Sequence, residues 1–470
     1  MLAKKEKRMN PICANISGVL PHLAIKADHL PHRSEIGIGA LMPWAGRLWF
    51  VSYVAHKAGS GGGSGLFSVD DSFTLSKHKE SVVGTYANRM IHAESNTLII
   101  GPHRIDVDGG VSTFKDLVDV RLTATCRHLT DPANKVYFLG MEGEFFEADV
   151  NTMKVTFLYD LLKELECPLR AHFKSASTNH GRVVVANNSY YPMDFLNPEG
   201  CNGRLAEWDG STWSIIERTQ FNTTVCRGGP LPNILGPATY AVGQDRASTM
   251  FKVFLADTGW RTYRLPKATH TQDHAWTTEW PRIREVESER WLMDAGGMFY
   301  ELPAMTYADS VWGVKPISTH LRIIGDFCSW NGLLVLAGDQ TTPISDTCIE
   351  AGQPQANLWF GKTDDLWQFG KPSGWGGPWW ETAVQNDEPS DPYLMTGFDK
   401  KCLHVRHDGG AGTKVVVQVD FMGQGQWVDY TVLELSGGYA YHVFPEGFSA
   451  HWVRLTGNRA GTATAQFFYT

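Results

Sequence analysis

Apolar and polar positions follow a pattern that recurs along the chain, and its clearest copy is RAHFKSASTNHGRVVVANNSYY, at residues 170–191. An imidazole and a cation, His172 and Lys174, precede a polar loop in this copy. The β-branched run 183–185 follows, which is typical of a buried strand, and polar side chains return where that strand ends. Further copies begin at Leu41, Arg89, Cys126, Pro237, Glu287 and Thr319.

The spacing of these copies predicts a repeat architecture. One apolar strand residue from each copy gives seven units, 37 to 57 residues apart, a period typical of radial or solenoid folds. Most copies continue into one or two more short apolar segments bounded by Gly, Asp and Asn, which predicts a small antiparallel sheet per copy. We therefore predict an all-β fold in which residues 20–385 form a seven-bladed β-propeller. The residues assigned to the innermost strands are Trp49, Ile99, Val136, Val183, Tyr240, Trp291 and Leu333.

The pattern changes near residue 390. Short alternating strands joined by Gly-rich turns follow, without the preceding imidazole and loop, and predict a C-terminal β-sandwich-like module over residues 390–470. These strands could instead close the propeller. Between the two parts, the Gly, Pro and Trp residues of GKPSGWGGPWWETAV, at 370–384, predict a cluster of turns.

Composition narrows the partners and the compartment. The net charge of −8 and the absence of a basic stripe argue against nucleic acid as a partner, and no apolar run approaches the roughly 20 residues that cross a bilayer, which argues against membrane insertion. The basic N-terminus lacks the apolar segment of an export signal. Eight scattered cysteines suit neither a zinc site nor a disulfide framework. A cytoplasmic location is therefore expected, or a periplasmic or secreted one if an export signal lies outside this sequence.

Four histidines occupy similar positions in four of the copies. Each precedes the predicted inner strand by 7 to 13 residues, so a propeller is expected to gather them at one end of its central channel. Neutral imidazole is a common ligand of divalent metals, which predicts a zinc or calcium site in the channel. The alternative is that each imidazole hydrogen bonds a neighbouring loop and recurs because the blade recurs. The four residues are His92, His128, His172 and His320.

A second polar set follows the predicted inner strands and is expected at the opposite end of the channel. Guanidinium groups bind carboxylates in a bidentate fork, and amides bind sugar hydroxyls. Imidazole can remove a proton at neutral pH. The set therefore suits a uronic-acid-containing oligosaccharide, although each member can also be a polar loop residue facing solvent. Its main members are His56, Lys57, His103, Arg104, Asn187, Asn188, Tyr190 and Arg246, with Asp339 also present.

A charge-rich segment, DHAWTTEWPRIREVE at 273–287, offers a weaker alternative. Its carboxylates could form the acid and base pair of a glycoside hydrolase, whose separation decides the reaction. An ion-paired loop is the simpler interpretation.

Long phrases of the sequence resemble the L-rhamnose-α-1,4-D-glucuronate lyase group, seven-bladed β-propeller polysaccharide lyases first classed as rhamnosidases. The resemblance runs from Pro21 to the C-terminus and includes ALMPWAGRLWFVSYVAHK, HLTDPANKVYFLGMEG, TEWPRIREVESERWLMDAGGMFYEL and FGKTDDLWQFGKPSGWGGPW. The group acts on rhamnose-capped arabinogalactan and gum-arabic-type side chains. The resemblance implies β-elimination, in which the C5 proton of the uronate is removed, rhamnose leaves from C4 and a 4,5-unsaturated uronate remains.

The resemblance also implies a catalytic histidine in the first blade, and His56 matches its position as the base at C5. Beside it, His103 with Arg104, and Arg246, are the residues we expect to neutralise the carboxylate, and Tyr190 is expected to protonate the departing oxygen. Elimination of this kind requires no cofactor. The alternatives are a propeller that binds glycans or proteins without catalysis and a glycoside hydrolase acting on the same linkage.

Overall fold

The structure of the protein is a computed structural model. It describes residues 18–19, 23, 25–26, 36–54, 65–79, 86–167, 172–189, 203–226, 238–268, 280–288, 290–302, 311–343 and 352–470. Nearly all regular structure in these ranges is β-strand, so the predicted all-β class is confirmed. The helical segments described are α1 (Leu161–Glu164) and two 3-10 helices, Lys115–Leu117 and Thr363–Phe369.

Two short N-terminal strands precede six sheets of four consecutive strands each. The N-terminal strands are β1 (Gly18–Val19) and β2 (Ile25–Lys26). Sheet 1 contains β3 (Ile36–Trp44), β4 (Arg47–Val54), β5 (Gly65–Val69) and β6 (Leu75–Lys77). Sheet 2 contains β7 (Arg89–His92), β8 (Thr97–Ile100), β9 (His103–Ile105) and β10 (Val111–Thr113). Sheet 3 contains β11 (Leu122–Arg127), β12 (Lys135–Gly140), β13 (Glu144–Asp149) and β14 (Val155–Asp160).

The next sheets keep the same order of antiparallel neighbours. Sheet 4 contains β15 (Phe173–Asn179), β16 (Arg182–Asn187), β17 (Arg204–Trp208) and β18 (Trp213–Glu217). Sheet 5 contains β19 (Gln220–Cys226), β20 (Thr239–Gln244), β21 (Thr249–Leu255) and β22 (Gly259–Leu265). Sheet 6 contains β23 (Arg282–Glu287), β24 (Arg290–Ala295), β25 (Met298–Leu302) and β26 (Lys315–Thr319).

Sheet 7 is completed by the start of the chain. It contains β27 (Ile323–Trp330), β28 (Leu333–Pro343) and β29 (Gly352–Gly361). Both N-terminal strands pair antiparallel with β29 and so take the fourth position of this sheet. Leu23 and Ile25 are buried there, against the apolar core that sheets 7 and 1 share.

The first strands of the seven sheets form a cyclic series of contacts. Each of β3, β7, β11, β15, β19 and β23 contacts the first strand of the next sheet, and β27 contacts β3. The residues assigned from sequence to the innermost strands lie instead on the second strands, or, for Leu333, at the start of one. The assignment was wrong because the second strand is covered on both faces and is the most uniformly apolar, whereas the first strand carries polar groups toward a cavity.

A β-bulge near the start of the first strand interrupts its pairing in sheets 1, 3, 4, 5 and 7, and a register shift near the end of β23 omits Val286 in sheet 6. A bulge leaves residues unpaired and turns their side chains away from the usual alternation. The polar members of this set are all buried. The residues omitted from pairing are Gly39, Thr123, Lys174, Asn222 and the pair Gly325 and Asp326.

The C-terminal strands form two further groups. The strands are β30 (Gly374–Val384), β31 (Tyr393–Leu394), β32 (Lys401–His407), β33 (Lys414–Asp420), β34 (Val428–Glu434), β35 (Tyr439–Val443), β36 (Trp452–Gly457) and β37 (Gly461–Tyr469). One group is a sheet in the order β30-β37-β32-β35, and the other extends sheet 5 through β22-β31-β36-β33-β34. The predicted turn cluster at 370–384 therefore contains a long strand, because β30 pairs with β37 and Trp379 packs into the core that these strands share. No helix in the described ranges has the length and apolar character needed to span a membrane.

Candidate functional site

The first strands enclose one cavity of about 900 Å³. Its walls come from all seven first strands and residues beside them, at 42–43, 87–91, 123–127, 175–178, 224–226, 283–288 and 328–329. In β3, β15, β19 and β27 these residues lie in the middle or at the end of the strand. We define the back face as the side on which the first strands end. The front face is the side on which the first strands begin and the second strands end. The cavity therefore lies toward the back face.

The centre of the front face is filled by Trp280. The ring of Tyr53, at the end of β4, stacks on it with a centroid separation of 5.2 Å. The ammonium of Lys174 lies 4.3 Å from the centroid, and the guanidinium carbon of Arg282 lies 5.0 Å from it. All four residues are buried. Sheets 1, 4 and 6 thus meet at this tryptophan, and two cations lie against its faces.

Asp326, at the bulge of β27, lies between the front-face cluster and the cavity. Its carboxylate accepts hydrogen bonds from Nε of Arg89 (2.7 Å), Nε of Arg284 (2.8 Å) and the backbone N–H of Leu41 (2.9 Å). Burial alone would raise the pKa of this fully buried carboxyl, but Arg284, Arg89 and Arg282 hold the pKa below its usual range. Burial lowers the pKa of Arg284 to about 9, so both partners are charged at neutral pH. Three guanidiniums therefore surround one carboxylate.

A further polar pair lies on the front face of sheet 7. Arg322 precedes β27, and its Nε and Nη2 are buried without a hydrogen-bond partner among the described residues. Its guanidinium lies against Gly338, where an added Cβ would meet Nη2 at 2.7 Å. Asp339 is half-buried as a residue, but its carboxyl is enclosed closely enough that burial raises its pKa to about 8. Asp339 is therefore largely protonated at neutral pH.

Three of the residues predicted from sequence come together at the front edge of sheet 4. Nδ1 of His172 lies 2.6 Å from the side-chain oxygen of Asn188. The side-chain oxygen of Asn187 accepts the backbone N–H of His172 at 3.0 Å. His172, predicted as a metal ligand, thus belongs with the two predicted substrate-binding amides, since the start of β15 and the end of β16 are neighbours.

His103 and Arg104 lie at the front end of β9. The ring of His103 is buried, and its Nδ1 lies 3.0 Å from the hydroxyl of Thr113. Within the ranges that the structure describes, Nε of Arg104 is buried without a hydrogen-bond partner. Both lie on the third strand of sheet 2, outside the first and second strands that surround Trp280.

Arg246 lies between β20 and β21 and faces the C-terminal strands. Its guanidinium carbon lies 4.9 Å from the ring centroid of Trp380, and its Nη1 lies 3.7 Å from a carboxylate oxygen of Glu381. The structure therefore brings Arg246 to the junction with β30 rather than to Trp280.

The four predicted metal-binding imidazoles do not come together. His92 and His128 lie where first strands end, on the back face, whereas His172 and His320 precede first strands on the front face. Nε2 of His92 lies 2.9 Å from the carbonyl of Pro132, and Nε2 of His128 lies 2.7 Å from a carboxylate oxygen of Glu147. Nε2 of His320 lies 2.9 Å from a carboxylate oxygen of Asp294. Within the described ranges, no group of three or more His, Cys, Asp or Glu side chains is arranged to hold a metal ion.

The remaining predicted residues, His56, Lys57 and Tyr190, lie outside the described residues. In the sequence, His56 follows the end of β4 by two positions and Tyr190 follows the end of β16 by three.

Sequence reasoning missed the Asp326 cluster. Arg282 and Arg284 were interpreted as part of a charged loop, but they belong to β23, where neighbouring first strands surround them. The available signal was a charged or amide residue placed early in an otherwise apolar first strand, as in IIGDFCSW and FKSASTN. That signal marks bulge positions, whose side chains leave the sheet alternation.

Comparison with known proteins adds little to this geometry. No family model and no curated protein matches the sequence. Among solved structures, the chain is similar to the crystal structure of the Myceliophteria thermophila Cps50 (Swd1) β-propeller domain, at 11% identity and a TM-score of 0.38. The alignment covers 68% of this chain and 96% of that one. The all-β architecture of repeated four-stranded sheets rests on the strand pairing of this chain itself.

Proposed function

We propose that the seven sheets are the blades of a seven-bladed β-propeller and that the strands from β30 onward form a C-terminal β-sandwich-like module. The cyclic contacts of the seven first strands and the cavity that all seven line support this arrangement. Closure of sheet 7 by the N-terminal strands supports it as well, since such closure joins the two ends of a ring.

We further propose that the protein is a carbohydrate-active lyase that cleaves rhamnosyl-α-1,4-glucuronate linkages on the front face. The observation that carries the anionic-substrate part of this proposal is a set of guanidiniums there without carboxylate partners. Arg104 and Arg322 form no ion pair within the part of the chain that the structure describes, and each has a buried Nε without a hydrogen-bond partner there. A buried cation without a counter-charge is costly, and a substrate carboxylate would supply that charge.

The chemistry assigned to this face is elimination without a required cofactor. A base, His56 by the family resemblance, takes the C5 proton of the uronate, and the electron pair forms the C4–C5 double bond as the C4–O bond breaks. The departing rhamnosyl oxygen takes a proton from Tyr190. A guanidinium beside the carboxylate stabilises the negative charge that develops when C5 loses its proton. Asp339, protonated at neutral pH, is a second proton donor on the same face.

Incubation with a rhamnosyl-glucuronide disaccharide tests the proposal. The expected result is growth of the ultraviolet absorbance of a 4,5-unsaturated uronate, with release of rhamnose. His56→Ala should abolish the reaction, and Arg322→Gln should raise KM about tenfold or more, because a lost charge-assisted hydrogen bond costs about 1.5–3 kcal/mol. His404→Ala is the control, since this imidazole contacts Tyr439 on the C-terminal sheet.

Other outcomes identify the other functions. Release of rhamnose without the absorbance would show a glycoside hydrolase. Saturable binding of the disaccharide without either product would show a glycan-binding propeller. The divalent metal expected from the sequence stays a prediction, and elemental analysis of the purified protein, with activity before and after a chelator, tests it.

A further inference from the structure

The cavity on the back side of Asp326 has a charged floor that the proposed elimination does not use. Arg89 and Arg284 both line this cavity, and their side chains are 14% and 18% exposed, whereas Asp326 beneath them is fully buried. The two arginines come from sheets 2 and 6. The floor is therefore assembled only when distant parts of the chain meet.

The guanidinium of Arg284 has one nitrogen that makes no hydrogen bond within the described ranges. Arg284 donates from Nε to Asp326 and from Nη1 to the carbonyl of Ile283. Its Nη2 makes no hydrogen bond to any residue in the described ranges. Because Asp326 already accepts three hydrogen bonds, it offers little capacity for a further donor. Nη2 therefore has donor capacity for a ligand in the cavity.

The balance of charge favours a single negative charge as the missing partner. Arg89 and Arg284 line the cavity and Asp326 lies beneath them, which gives these three groups a net charge of about +1. Arg282 does not line the cavity, and the carboxylates of Glu285 and Glu287 belong to its walls farther along β23. A carboxylate would neutralise this charge and matches the planar geometry of a guanidinium, whereas a dianionic phosphate would exceed it. Ser175 and Thr224 also line the cavity, and the Ser175 hydroxyl donates to the carbonyl of Thr224 at 3.0 Å. A volume of about 900 Å³ falls in the range of small-molecule sites.

We propose that the floor of the axial cavity, formed by Arg89 and Arg284 over Asp326, binds the carboxylate of a monovalent organic acid that enters from the back face. The site is separate from the proposed lyase site on the front face. A layer that contains Trp280 and Asp326 lies between the two sites. Its carboxylate can belong to a free small acid or to the uronate end of a glycan. A guanidinium binds the carboxylate in the same way in both cases.

Calorimetric titration at constant ionic strength tests the site, with acetate, D-glucuronate and uncharged D-glucose as probes. If acetate and D-glucuronate both bind with one-to-one stoichiometry, the site takes free acids. If only D-glucuronate binds, the site takes a uronate. D-Glucose is expected not to bind. Arg284→Gln should weaken the carboxylate binding at least tenfold. Arg290→Gln, an exposed arginine of the same sheet that pairs with Glu301, should leave it unchanged.

Two further measurements keep the test decisive. Arg322→Gln distinguishes this site from one on the front face. If Arg322→Gln abolishes carboxylate binding and Arg284→Gln does not, the proposal is overturned. If Arg284→Gln does not fold, the site is tested instead by soaking crystals of the unaltered protein in bromide. An anomalous peak against the Arg284 guanidinium supports the site, and its absence overturns it. The lyase assay of the unaltered protein is independent of both results.

Discussion

At the scale of single residues, Asp326 shows how this fold accommodates a buried charge. A carboxylate removed from water is costly unless charged hydrogen-bond partners replace the water. Asp326 receives two guanidiniums and a backbone N–H, from sheets 2, 6 and 1. Arg282 and Arg284 in turn depend on Asp326, because burial lowers the pKa of both guanidiniums and the carboxylate opposes that effect.

Replacing Asp326 should therefore strongly destabilise the protein. In Asp326→Asn the guanidiniums of Arg89, Arg282 and Arg284 lose their shared counter-charge, and the expected loss in the free energy of unfolding is about 3–5 kcal/mol. Denaturant unfolding measures it. Asp399→Asn breaks an exposed ion pair with Lys371 and should have no measurable effect. Equal stability of the two variants would show that the Asp326 cluster is not a stabilising feature.

Asp339 should give the stability a distinct pH dependence. Burial raises its pKa to about 8, above the ordinary value of 3.8, so the folded protein retains a proton that the unfolded chain has lost between these values. The contribution of Asp339 to the free energy of unfolding is therefore complete below about pH 4 and is lost as the pH rises toward 8. Asn cannot ionise, so Asp339→Asn should be more stable than the unaltered protein at pH 9, by roughly 2–5 kcal/mol.

Unfolding measured from pH 5 to pH 9 tests this expectation. Asp257→Asn makes the same change of charge at an exposed turn and provides the reference slope. Parallel pH profiles for Asp339→Asn and the unaltered protein would contradict an enclosed, protonated Asp339.

At the scale of elements, the first strands combine close packing with bulges. An added Cβ at Gly39 would lie 1.6 Å from the carbonyl oxygen of Tyr86, and one at Gly325 would lie 2.1 Å from that of Ile38. Glycine is required at both positions because backbones of neighbouring first strands approach directly. The same bulges direct Lys174 and Asp326 toward the centre of the ring of strands.

Gly39→Ala should therefore be destabilising, by about 3 kcal/mol or more, since backbone rather than a flexible side chain obstructs the new methyl group. Gly457→Ala is the matched control, because its Cβ would meet no heavy atom closer than 3.5 Å. Its expected change is within about 0.5 kcal/mol. Thermal or denaturant unfolding distinguishes the two, and a tolerated alanine at 39 would contradict the close approach of β3 to the strand that follows Tyr86.

At the scale of the whole molecule, the two ends of the repeat are joined by hydrogen bonds rather than by chain connectivity. Strands β1 and β2 pair with β29, so the last sheet closes only when the N-terminal segment returns to it. Without them β29 would become an exposed edge, with unpaired backbone groups that invite aggregation.

A chain of residues 27–470 should accordingly be less stable than one of residues 18–470. It loses the burial of Leu23 and Ile25, and we expect the free energy of unfolding to fall by about 3 kcal/mol or more. Denaturant unfolding compares the two chains, and light scattering is expected to show aggregation of the shorter one. The same stability and solubility in both would mean that sheet 7 needs no fourth strand.

Much of the architecture was predictable because apolar periodicity reports local burial. The run at 183–185 became β16, and the copies of its pattern became successive four-stranded sheets. The same signal misidentified the innermost strands. It measures how completely a strand is covered, and the second strands are covered best.

The sequence by itself determined the all-β class, the repeat and the polar residues where second strands end, because each depends on neighbours only a few positions away. Only the tertiary structure decided that His172 joins Asn188 while His92 and His128 lie on the other face. It also decided that arginines from distant sheets share Asp326. Electrostatic and hydrogen-bonding partners act over a few ångströms in space, and spacing along the chain does not determine which residues come that close.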